Sequence, residues 1–113
     1  METVAVIDFE TTGMSPDAGA RATEIAAVLL RDGHVVDRYQ GLMNAGAYVP
    51  PFIEQLTGIS NAMVRAAPPA AKVMREVADF VGAHPLVAHN ASFDCRFWDA
   101  ELGRIGRRRM QEF

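Results

Sequence analysis

Three acids in this chain stand out by type and placement: Asp8 and Glu10 at the end of an apolar run, and Asp94 just after "LVAHN". The run Val4-Ala5-Val6-Ile7 is short and rich in β-branched residues, the pattern of a buried strand. An extended chain turns alternate side chains to one side, so Asp8 and Glu10 face the same way. Like charges that close disfavour each other, more so when partly desolvated, unless a positive charge sits between them. Oxygen donors of this kind suit Mg²⁺ or Mn²⁺, which keep several waters and take further ligands from a substrate phosphate. The plainer alternative is that Asp8 caps a turn and Glu10 reaches solvent, and spacing alone leaves both open.

The elements around these acids decide whether they can meet. Residues 3–10 read as the first strand, stopped by Thr11-Thr12-Gly13 and then Ser15-Pro16-Asp17. Strands over 22–30 and 34–43, joined at Arg31-Asp32-Gly33, complete an antiparallel meander. Prolines open a short helix over 50–60. Within 68–84, Val73, Val77, Phe80 and Val81 recur at helical spacing. "PLVAHN", 85–90, reads as a short strand, and 91–102 as a second amphipathic helix with Phe93 and Phe97 four apart. The order suggests a mixed α/β sheet with the fourth strand beside the first. Asp94, in the first turn of the last helix, would then reach the same end of the sheet as Asp8 and Glu10, where open α/β sheets place ligands.

Composition narrows the remaining classes. At 113 residues the chain is one domain at most, and its formal charge of -3 gives no overall basic footprint. Arginine concentrates only in "RIGRRRM", Arg104 to Arg109, a run that either tracks a phosphate backbone or is simply solvated. The single cysteine, Cys95, excludes an internal disulfide, fits a reducing compartment and reads as a small buried hydrophobe. No apolar run approaches a membrane span or a signal-peptide core, so a cytoplasmic location without membrane partners is the expectation.

Taken together, "DFETTG", "EIAAV", "LTGIS" and "HNASFD" resemble the DEDD superfamily of 3'–5' exonucleases, in particular its proofreading-subunit (DEDDh) type, as in epsilon-like subunits of bacterial DNA polymerase III. The resemblance runs from residue 4 to about 103 with the blocks in order. It implies a ribonuclease H-like fold with three antiparallel strands and a fourth parallel to the first. It also implies two divalent ions, about 3.5–4 Å apart, with Asp8 bridging both, Glu10 on the nucleophile-side ion and Asp94 on the other. The implied substrate is the 3' end of single-stranded DNA, with RNA as an alternative, and the implied partner is a polymerase catalytic subunit.

Substrate contacts follow from the same resemblance. Phe9 matches a position near the terminal sugar and base, Thr11, Thr12 and Gly13 a backbone approach to the terminal nucleotide, and Leu56 and Thr57 a wall of the base pocket. For the Thr-Thr-Gly run a tight turn is an equal alternative, and Ile53 reads as core. Asn90 and Ser92 are placed to cap the last helix, and Asn90 also to steady the metal shell. His89 reads as a hydrogen-bonded structural residue. Glu24 matches a recurrent acid without a defined role and is left outside the site.

The family pattern is completed by a histidine, four residues and an aspartate, the histidine serving as general base. Of His34, His84 and His89, only His89 has an aspartate five positions on, and that aspartate, Asp94, already belongs to the "HNASFD" block, so no separate closing pair follows it. The expectation is therefore a partial exonuclease domain over 1–113, the N-terminal two thirds of the whole, with an open sheet edge inviting a homodimer. Lack of the base would lower turnover by roughly 10²–10⁴-fold. The rival expectation is a non-catalytic nucleic-acid or polymerase-binding module of degenerate nuclease fold.

Overall fold

The computed structural model describes residues 2–111 and 113. Its strands are β1 (Thr3–Thr11), β2 (Ala22–Arg31), β3 (His34–Leu42) and β4 (Leu86–Val87). They form one sheet in the order β3-β2-β1-β4. β1 and β3 run antiparallel to β2, and β4 parallel to β1. The helices are α1 (Pro51–Thr57), α2 (Asn61–Ala66), α3 (Ala70–Val81) and α4 (Ala91–Arg104). None is long and apolar enough to cross a membrane.

Alternation along β1 decides which side of the sheet is core. Thr3, Ala5, Ile7, Phe9 and Thr11 are buried, while Asp8 is exposed and Glu10 half-buried. Ala5, Ile7 and Phe9 meet Val73, Val77 and Val81 of α3 and Phe97, Trp98 and Leu102 of α4 in one cluster. The Phe9 ring lies 6.3 Å from both Phe97 and Trp98, centroid to centroid. On α4 the buried residues are Asp94, Phe97, Trp98, Glu101 and Leu102, the one-face spacing of an amphipathic helix. Two carboxylates thus ride a stripe that is otherwise apolar.

The structure departs from the sequence expectations in two places. The helix expected over 50–60 stops at Thr57, because Gly58 takes φ 76° and its N–H returns to the Glu54 carbonyl. A separate helix follows over Asn61–Ala66, where Ser60 accepts the N–H of Met63. The strand expected over 85–90 narrows to Leu86–Val87, after which the chain turns into α4. The open edge anticipated there is correspondingly short, which gives a second copy little main chain to pair with.

On the other edge, Tyr39 of β3 donates to Glu76 of α3 at 3.1 Å, and Lys72 donates to the same carboxylate at 3.0 Å. Burial and the bond to Glu76 push the Tyr39 phenol from 10 up to about 12. The protonated phenol is the favoured form, so its contribution is complete below pH 10 and fades as pH climbs toward 12. In urea titrations the unaltered chain should therefore lose stability relative to Tyr39→Phe across that window. Phe97, 0% exposed, should cost about 3–5 kcal/mol as Phe97→Ala in the same assay.

Candidate active site

The site begins where β4 lets go of β1. Alternate N–H groups of β1 point toward β4, and that of Ala5 bonds to the Pro85 carbonyl at 2.8 Å. Farther along, β4 has ended, and the N–H of Phe9 bonds instead to Asp94 Oδ1 at 3.1 Å. Asp94, 3% exposed, thus replaces a strand as acceptor. Its carboxylate is held against the stretch of main chain that carries Asp8 and Glu10. The three acids lie at the same end of the sheet, near enough for their charges to act on one another.

A fourth acid joins them. The β1–β2 register sets Glu10 opposite Glu24, whose carboxylate accepts from Gln40 at 3.2 Å. Burial first, then the charges of Asp8, Glu24 and Asp94, raise the Glu10 carboxyl above its ordinary value. Burial likewise raises Asp94; the Phe9 N–H pulls it back down, Asp8 pushes it up and His89 lowers it. Among the described residues, the ion pairs of Lys and Arg go to Glu101, Glu76, Asp79 and Asp99, none to these four acids. Sequence alone gives Glu24 no role; the cross-strand register brings it beside Glu10.

This donor set fits a hard divalent cation in chemistry: it is anionic, all oxygen, and the neighbouring charges raise the proton affinity of Glu10 and Asp94, which a bound cation would relieve. Among the described residues, no three His, Cys, Asp or Glu side chains are yet drawn together closely enough to hold an ion.

Beside Glu10 lies a hollow of about 280 Å³, bordered by Phe9, Thr11, Gly13, Leu56, Thr57 and Asn90. Thr12 and Asp8 lie outside its lining, whereas Met14, Ile53 and Phe93 belong to it. Ile53 both packs against the small cluster of Val49, Ile59 and Val64 and reaches the hollow, and the helical spacing of Phe93 equally describes core. The Phe9 ring is spent on the core. The Thr11 hydroxyl donates to the Gly13 carbonyl at 2.7 Å, and Thr12 Oγ1 accepts the Arg21 N–H at 3.0 Å, so both hydroxyls close the turn. At Gly13 a Cβ would lie 3.3 Å from that of Ala20, a tight contact that favours a small residue there. Thr57 donates to the Ile53 carbonyl at 2.9 Å and accepts from the Ile59 N–H, finishing α1. Leu56 is 72% exposed at the rim.

Three expectations are corrected here. Asn90 occupies the N-cap position of α4 without a side-chain cap bond, so its side chain is left at the hollow. His89 is exposed rather than a packed structural residue. Cys95 is half-buried, its Sγ 3.6 Å from Asp99, and burial pushes the thiol up.

A mixed sheet of this order, with acids at the end of its central first strand, is the ribonuclease H-like fold. Residues 5–113 match the exonuclease family of RNase T type, and the chain belongs to that family. It is 44% identical over 89% of its length to the 3'–5' exonuclease DinG of Bacillus subtilis, and 38% identical over 92% to the PolC-type DNA polymerase III of the same species. It spans only 11% and 7% of those relatives. Among solved structures it is similar to exonuclease X in complex with 5' overhanging duplex DNA, at TM-score 0.70 and 32% identity over 83% of this chain and 52% of that one. Exonuclease I of E. coli in complex with a dA16 oligonucleotide shares the fold at TM-score 0.81 and 20% identity, over 93% of this chain and 24% of that one.

Crowded like charges make a site costly to keep. In chelator, Asp8→Asn should raise thermal stability, by on the order of 0.5 kcal/mol or about 2 °C in Tm. Mn²⁺ should then stabilise the unaltered chain more than the variant, as read by calorimetric melts.

Proposed function

We propose that this chain carries the acid set of a metal-dependent 3'–5' exonuclease acting on single-stranded DNA ends to release nucleoside monophosphates. The observation that carries the proposal is the bond from the Phe9 N–H to Asp94, which ties the helix-borne acid to the strand-borne pair. Two Mg²⁺ or Mn²⁺ ions would supply an activated water and a stabilised leaving oxygen. Asp8 would hold both, Glu10 the one on the water side and Asp94 the other. The hollow beside Glu10 gives the terminal nucleotide apolar surface from Met14, Leu56 and Phe93, with Asn90 at its rim.

The relatives support this reading: one is named a 3'–5' exonuclease, others are PolC-type polymerases, and exonuclease I has been solved with single-stranded DNA and in a zinc-bound form. Association with a polymerase catalytic subunit, in the cytoplasm, belongs to the same proposal. So does the assignment of residues 1–113 to the N-terminal two thirds of the family domain. On that assignment the general base implied by the family is not among these residues, and turnover by them alone should be about 10²–10⁴-fold below that of a domain carrying it.

The test is a 5'-labelled single strand incubated with the chain in Mn²⁺ or in EDTA, with DNA and RNA arms. Shortening from the 3' end that requires Mn²⁺ and falls at least about 100-fold in Asp8→Ala is the expected result. Strand binding that ignores EDTA and gives no cleavage would favour the binding-module reading instead. Cleavage surviving Asp8→Ala would remove the acids from the chemistry.

A further inference from the structure

α4 grips the sheet through two carboxylates seven residues apart, nearly two turns along one stripe. Asp94 accepts the N–H of Phe9 on β1 at 3.1 Å, and Glu101 accepts the N–H of Ala22 on β2 at 3.1 Å. Glu101, 2% exposed, is neutralised where it stands: Arg21 Nε and Nη2 reach its two oxygens at 3.0 Å each. Arg21 is itself fixed. Its main chain exchanges bonds with Thr12, accepting the Thr12 N–H at 2.9 Å and donating to Thr12 Oγ1 at 3.0 Å, and its Nη1 reaches the Ala45 carbonyl at 3.4 Å.

A helix held at one point can pivot about it; held again about 10 Å farther along its axis, it cannot. A planar two-pronged pair also fixes direction, which a single charge contact does not. We infer that Arg21 and Glu101 are positioning residues for the acid site: they set the tilt of α4 so that the Asp94 carboxylate stays over the Phe9 N–H beside Asp8 and Glu10. The inference rests on the proposed metal-binding role of those three acids. Neither member of the pair borders the hollow beside Glu10, so their action on the site is through α4 and through the turn that Thr12 closes.

Removing one member would leave the other buried and unpaired, so the informative variant is the double Arg21→Met/Glu101→Leu, which removes both charges together. Arg21→Lys, which keeps the charge and loses the fork, is the milder companion and carries the comparison if the double variant does not fold. Two readouts are needed: hydrogen exchange of the Phe9 N–H by NMR, with Asp94→Asn as reference, and Mn²⁺ affinity by titration calorimetry. The expected result in the folded double variant is Phe9 exchange at least about tenfold faster and Mn²⁺ affinity at least about tenfold weaker, with Arg21→Lys between. Phe9 exchange and Mn²⁺ affinity both within about twofold of the unaltered chain would overturn the inference. An unaltered chain that binds no Mn²⁺ would sink the metal reading, while Phe9 exchange would still decide whether the pair positions Asp94.

Discussion

A buried main-chain N–H must find an acceptor, and where β4 ends the Phe9 N–H has no strand to bond to. Asp94 answers that need from the first turn of α4. One acid of the proposed chemistry is therefore also a tie between helix and sheet. A neutral isostere could keep the acceptor, but an apolar residue would orphan the N–H as well as remove a metal donor. Architecture and site are joined at one hydrogen bond, and the core of Phe9, Phe97 and Trp98 lies directly behind it.

The two buried carboxylates of α4 make an internal comparison. Both accept a main-chain N–H from the sheet, at 3.1 Å in each case. Glu101 has its cation built in, as Arg21. Asp94 faces Asp8 and Glu10 instead, and its proton affinity rises with burial and with the Asp8 charge. The fold thus satisfies one carboxylate with a side chain and leaves the other in an excess of negative charge. Evenly paired acids would be more stable and chemically inert; an acid cluster open to an external cation trades stability for function.

Much of the fold was legible because its signals are local. The β-branched run before Asp8, the Asp-Gly turn at Asp32-Gly33 and the helical spacing of Val73, Val77 and Val81 each depend on neighbours in the chain. β4 was less legible: "PLVAHN" has the composition of a strand, but α4 must begin in time for Asp94 to reach Phe9, and tertiary geometry cuts the strand to two residues. The break between α1 and α2 turned on the left-handed Gly58, which a continuous helix reading passes over. In the site, the acids were readable by type and order. The roles of Thr11, Thr12 and Thr57 were not, because a hydroxyl that closes a turn looks the same in sequence as one that meets a ligand. Arg21 and Glu101, eighty positions apart, carry no local mark of partnership.

The brevity of β4 has one more consequence. Only Ala88, His89 and Asn90 separate the last paired residue from the first turn of α4. Each residue added to or taken from a helix start turns its face by about 100°, enough to swing a carboxylate from the sheet toward water. This three-residue joint is consequently constrained in its count: an insertion or deletion there would unseat the acid without touching it.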